Sequence, residues 1–459
     1  VALTGDFFAG SATLVIRLPA NHPGIAPVLR ISRGVRRRTA VGLVADLGNE
    51  RGRVREPIVS FPVSLKRLMI FAAVLSLLLT ACSANGAAPA DGRIPACKVT
   101  SAAAEVPKSG SLFGVNLDWG NESLKQFSSR VGITPAVAVS FANLPMSAPD
   151  LKNITGAVNQ LRAVGGILLL TLEPREGLAA VTPKGTAELV TQLATFNRSG
   201  VPVIVRFAHE MNGSWYAWGQ QPAAFIRAFR SVSLAVKRGA PGSSMMWAPN
   251  YGGGYPFTGG AYAAKPGSAD FKKLDTNGDG VLTMADDPYA PYYPGDDVVD
   301  WVGMSLYHWG STYPWGKNEI PEAGKFAAQL TGNYNGLAGD DTAVPDFYQA
   351  FGVEHGKPVA IPETAALVIP RGNPAQELSI KRAWWRQVFS SETAARFPQL
   401  HMINWFDWNK YEPEVGSRVD WTLTGTTPTS AAFKTDLPAW AIPAKKVSAC
   451  HASGPESGR

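Results

Sequence analysis

A single-domain (β/α)8 TIM barrel is the α/β fold class that this 459-residue chain predicts. Three observations carry it. Eight short apolar runs recur between residues 110 and 440, segments with helical periodicity separate them, and the sequence has no G-x-G-x-x-G or G-x-x-x-x-G-K-[ST] phosphate loop. The last point weakens the alternative, a doubly wound sheet. Apolar residues make up 45% of the chain, enough to bury a large core.

In order, the runs are 112–116, 136–141, 166–173, 201–208, 244–250, 299–307, 358–363 and 401–407, each short and rich in β-branched or apolar residues. Between them, 185–198, 223–238, 346–355 and 377–390 repeat apolar residues three and four apart, as helices covering a barrel do. The longest interruption, 251–297, falls between the fifth and sixth runs and is full of Gly, Pro, Tyr and Asp, which predicts a loop decorating the barrel mouth.

Within it, Asp275, Asn277, Asp279, Thr283 and Asp286 stand at positions 1, 3, 5, 9 and 12 of a calcium-type loop. Gly280 takes position 6 and the Val281 carbonyl position 7. A hard cation needs six or more oxygens from one tight turn, so this spacing predicts structural Ca2+, weakened by an Asp in place of the usual Glu at position 12.

The net charge of +7 resides in residues 1–67, which hold eleven basic and four acidic residues; the remainder is neutral. Nothing electrostatic therefore points to nucleic acid. Lys66 and Arg67 precede the apolar run 68–81, too short to span a bilayer, which ends in Leu79-Thr80-Ala81-Cys82. Residues 63–81 read as a lipoprotein signal with Cys82 as the lipidated residue, and 1–62 as an over-extended gene start carrying no domain. The expectation is an extracytoplasmic monomer, lipid-anchored to the membrane or secreted. Residues 82–110 read as an Ala/Gly/Pro/Ser linker, 111–445 as the barrel and 446–459 as a tail. Cys97 and Cys450 flank the barrel and are candidates for a disulfide joining its ends.

The fourth run leads into Arg206-Phe-Ala-His209-Glu210-Met-Asn-Gly213-Ser-Trp215-Tyr-Ala-Trp218. Gly213 occupies the place of the second His of H-E-x-x-H, which argues against zinc, and no G-x-S-x-G elbow supplies a serine nucleophile. A carboxylate pair remains. The seventh run ends in Glu363, and residues at the C-terminal ends of barrel strands face the active site. Glu210 and Glu363 thus reach one cleft from opposite sides, as acid/base and nucleophile of glycoside hydrolysis with retention, without a catalytic cofactor. Trp119, Trp215, Trp218, Trp309, Trp405 and Trp408 all fall at or beyond strand ends, where indole faces meet sugar C–H faces. Glu173, at the end of the third run, reads equally as a cleft residue or an ion-pair partner.

The run from Arg206 to Gly219 resembles the acid/base signature of glycoside hydrolase family 26, and the likeness continues through Tyr293–Asp296, Val299–Gly303, Tyr307, Glu363 and Asn404–Phe406. The resemblance implies Glu210 as acid/base, Glu363 as nucleophile, and Arg206 and His209 as supporting residues. It also implies Tyr307 as a partner of the nucleophile, with Trp215 and Trp405 as sugar platforms. The calcium-like loop and Ala217 depart from the family pattern. The expected activity is endo-hydrolysis of a β-linked polysaccharide, β-1,4-mannan first, with β-1,3-1,4-glucan and β-1,3-xylan as alternatives. A surface lipoprotein that binds glycan or remodels the cell's own polysaccharide is the reading from a different class.

Overall fold

A computed structural model describes residues 98–336 and 341–444. The 1–62 segment, the 63–81 run, Cys82, Cys97, Cys450 and the 446–459 tail lie outside the described residues.

Eight parallel strands, β1 (Ser111–Leu117), β2 (Val137–Asn143), β3 (Ile167–Glu173), β4 (Val203–Phe207), β5 (Ser243–Trp247), β6 (Trp301–Gly303), β7 (Val359–Thr364) and β8 (Leu400–Asp407), pair in sequence order. Six residues of β8 then pair with β1 and close the barrel. Each strand falls on one of the eight expected runs.

The helices are α1 (Leu124–Val131), α2 (Ala148–Val164), α3 (Pro183–Arg198), α4 (Pro222–Gly239), α5 (Ala269–Leu274), α6 (Lys325–Leu330), α7 (Pro374–Val388), α8 (Ser391–Arg396) and α9 (Thr427–Asp436). Their starts are set locally. Ser123 and Ser147 form capping boxes with Gln126 and Asp150, and Pro183 stands in the first turn of α3 behind the Thr182 cap. The helix expected over 346–355 is instead a π-helical turn, Tyr348–Val353.

Strand alternation divides the core in two. Ile167 and Leu169, Ile204, Met246, Ala360 and Met402 fill the barrel interior, whereas Leu168, Leu170, Val203, Val205, Ile361 and Ile403 face the helices. The supposed linker is partly built into this body. Val99 and Glu105 are buried, Glu105 ends the 3-10 turn Ala102–Glu105, and Val106 packs against the interior cluster from below. Two short additions complete the architecture. The hairpin β9 (Asn409–Glu412)/β10 (Ser417–Asp420) follows β8 at the mouth, and β11 (Ala441–Ile442) pairs parallel to the start of β1.

Candidate active site

The C-terminal ends of the strands enclose an open cleft of about 830 Å3. His209, Glu210, Trp215, Tyr307 and Glu363 line it. Arg206 lies directly beneath, fully buried at the end of β4.

Glu210 arrives through a strained turn. Ala208 and Glu210 both adopt left-handed backbone, with φ of 47° and 54°, and are held by bonds from Ala208 N–H to the Leu172 carbonyl and from Glu210 N–H to the Ala248 carbonyl. Non-glycine residues tolerate such conformations only where neighbours over-determine them, and these sites are commonly functional. Glu363 arrives by a different device. Ala360 faces the barrel interior, so strict alternation aims residue 363 at the helices. A register shift between Ile361 and Thr364 turns Glu363 into the cleft and lets Thr364 accept a bond from Trp384 Nε1.

The two carboxyls have different partners. Arg206 donates Nη1–H to Glu363 Oε1 and Nη2–H to Ser305 Oγ at 2.7 Å, while Tyr307 donates its hydroxyl to Glu363 Oε2 at 2.8 Å. Burial, then the Glu363 charge, raises Tyr307 well above the ordinary phenol range, so it remains a donor. Glu210 accepts the Trp215 indole N–H at 3.1 Å. Burial, followed by the nearby Glu363 charge, lifts its carboxyl to about 7, with Arg206, Ser305 and Trp215 opposing.

Trp215 reaches Glu210 because position 213 is glycine. A Cβ there would sit 2.3–2.5 Å from the indole ring, which folds back over the turn. His209 packs on Tyr216, Trp218 and Phe141 with ring centres 5.0, 5.7 and 5.9 Å away. Burial and the Arg206 charge keep it neutral.

Two expected sugar platforms are not in the cleft. Trp405 alternates outward from Met402 and Asn404, is fully buried against Trp385 and Phe433, and donates to the Trp421 carbonyl. Trp218 is sealed beneath Tyr216, stacked at 4.4 Å, and donates to the His209 carbonyl. Trp119, Trp309 and Trp408 do line the cleft, as does Glu173. Ser305, Tyr216, Phe257, Trp315 and Trp421 also line it and were not expected. Tyr216 was legible from the motif, whereas the loop aromatics follow no period.

The calcium expectation is not met. Asp286 is buried, but its oxygens accept the N–H groups of Thr276 and Thr283 at 2.7 and 2.9 Å, and Asp275 accepts those of Asp279 and Gly280. Asn277 and Asp279 also bond within the loop, and Val281 and Thr283 point to solvent. Among the described residues no three His, Cys, Asp or Glu side chains assemble to hold a metal. The short Asp at position 12 docks on the loop's own amides, and the carboxylates do not converge.

Residues 183–235 match the profile described as Glycosyl hydrolase family 26. Endoglucanase H of Acetivibrio thermocellus is 24% identical over 279 residues, 59% of this chain and 24% of that protein. A β-1,3-xylanase of an Alcaligenes species is 24% identical over 220 residues, 44% of this chain and 38% of that protein. The chain thus spans between about a quarter and two fifths of the length of these relatives. A solved endo-β-1,4-mannanase double mutant from Cellulomonas fimi superposes with 19% identity over 77% of this chain and 79% of that one, at a TM-score of 0.47.

Proposed function

Because residues 183–235 match the glycosyl hydrolase family 26 profile and two glutamates meet in the cleft, we propose that this chain is an endo-acting, retaining β-glycanase of that family in which Glu210 is the acid/base and Glu363 the nucleophile. One observation carries the assignment. Two carboxyls share a cleft, one engaged by Arg206 and Tyr307, the other lifted to about 7 beside the Trp215 indole.

In the first half-reaction Glu210 gives its proton to the glycosidic oxygen as a Glu363 oxygen attacks the anomeric carbon. The carbon–oxygen bond to the leaving sugar breaks and a glycosyl ester forms. In the second, Glu210 takes a proton from water, whose oxygen attacks the anomeric carbon and frees Glu363. Arg206 and Tyr307 hold the nucleophile in place. Trp215, exposed at the rim and touching the acid, suits the leaving sugar.

The substrate is a β-linked glycan, with β-1,4-mannan first and mixed-linkage glucan and β-1,3-xylan next. The names of two relatives, an endoglucanase and a β-1,3-xylanase, support a β-linked glycan. The Leu79–Cys82 sequence supports an extracytoplasmic, lipid-anchored location.

Hydrolysis of mannan, glucan and xylan with product sizing tests the substrate. Glu210→Ala and Glu363→Ala should each nearly abolish it while the protein stays folded. With an activated aryl glycoside, azide should rescue Glu210→Ala to a β-azide and Glu363→Ala to an α-azide. Full activity in either variant removes the mechanism.

A further inference from the structure

A third carboxylate stands at the floor of the cleft without a part in this mechanism. Glu173 ends β3, is 7% exposed, and lies near enough to Glu363 and Arg206 to feel both charges. Arg175 donates to Glu173 Oε2 through Nε at 3.0 Å and through Nη2. The other oxygen, Oε1, takes no hydrogen bond from the described residues and is not sealed from the cleft.

The Tyr216 ring also lines the cleft, fixed by its stack on Trp218. Its hydroxyl has no hydrogen-bond partner among the described residues, and the charges of Glu210, Glu363 and Glu173 all bear on it. An acceptor and a donor, both desolvated and both with an unused hydrogen-bonding position, therefore line the same cleft as the nucleophile. Burial raises the Glu173 carboxyl above its ordinary value, Glu363 adds to this, and Arg175 opposes it. Because Arg175 is largely exposed, an ion pair with it returns little stability for placing a carboxylate there. A ligand that donates to Glu173 accounts for the arrangement.

We propose that Glu173 and Tyr216 form a hydroxyl-reading pair for the sugar unit that Glu363 attacks, Glu173 accepting from one hydroxyl and Tyr216 donating to the same or a neighbouring one. The inference rests on the glycanase reading and narrows it. The Glu363 and Glu173 carboxylates beside one subsite favour a neutral pyranose and disfavour a uronic acid at that unit.

The test uses the inactive Glu210→Gln protein, so that binding is read apart from turnover. Calorimetry with mannohexaose, cellohexaose and β-1,3-xylohexaose identifies the ligand. Adding Glu173→Gln should weaken its Kd by about 10- to 100-fold, the range for a lost charge-assisted hydrogen bond, with the unfolding temperature little changed. Tyr216→Phe should weaken it about 5- to 10-fold. In the otherwise native enzyme, wild type should discriminate against one monodeoxy aryl glycoside that Glu173→Gln hydrolyses as well as the full sugar.

Binding and hydrolysis that stay within twofold of the parent in Glu173→Gln, with loss of thermal stability alone, would leave Glu173 a structural ion-pair partner and overturn this inference while the glycanase reading stands. Failure of the Glu210→Gln protein to bind, together with failure of the wild type to cleave, any of the three glycans removes both.

Discussion

Glu210 and Glu363 are chemically identical side chains made unlike by their neighbours. Removing the indole donor from Glu210 should favour its protonated form. Since the Trp215 N–H stabilises the carboxylate, Trp215→Phe is expected to raise the Glu210 pKa above about 7 by less than about one unit. The alkaline limb of the kcat profile, where activity falls as Glu210 loses its proton, should then move to higher pH. A limb that stays put or moves down would deny Trp215 that influence. Both glutamates were legible from residue type and strand-end position, but their delivery was not. The left-handed turn at Ala208–Glu210 and the extra residue in β7 are responses to tertiary packing that a period-2 pattern does not encode.

Among the elements, the strands were readable because parallel strands covered on both faces are nearly continuous apolar runs. That same continuity hid the side of β8 on which Trp405 lies. Its alternation with Met402 and Asn404, fixed by the closure onto β1, decides the matter, and Trp408 beyond the strand end is the one that lines the cleft. The two should separate cleanly in experiment. Trp405→Ala should destabilise the fold by roughly 3–5 kcal/mol, as for a large buried aromatic. Trp408→Ala should leave the unfolding midpoint within a few degrees and weaken oligosaccharide binding. Thermal unfolding and calorimetric Kd values check both, and equal stability losses would refute the division. The loop aromatics Phe257, Trp315 and Trp421 join the cleft through irregular backbone, which has no sequence period to betray them.

For the whole molecule, eight-fold closure was predictable from the count of runs, but the packing of 98–106 beneath the barrel was not. Its Ala/Pro/Ser composition reads as linker, and only a few side chains, Val99, Glu105 and Val106, anchor it. Glu105 donates nothing when ionised, accepts the Ser244 hydroxyl, and leaves Oε1 buried without a partner. Burial raises its pKa well above the ordinary value, with Ser244 opposing. For an acid raised in the folded state, the native form binds the proton more tightly than the unfolded chain. Its contribution is therefore whole below the unfolded value near 4.5 and is lost as pH rises toward the folded one. Glu105→Gln should accordingly melt higher than wild type at pH 8, with the difference shrinking toward pH 4. A pH-independent difference would show that Glu105 is not titrating between those limits.

The charge of Glu363 is the second cause of the raised Glu210 value, and that charge is not constant over the proposed reaction. When Glu363 becomes a neutral ester, the repulsion disappears. When the leaving sugar departs from Trp215, water regains access to Glu210. Both changes lower the proton affinity of Glu210 just after it has given its proton away, so it stays ionised and ready to accept one from water. Hydrolysis of the ester restores the negative charge beside it, and the proton it has taken is held for the next bond. In the proposed reaction the charge interaction between the two carboxyls thus acts as a clock, setting the order of acid and base steps without any moving part.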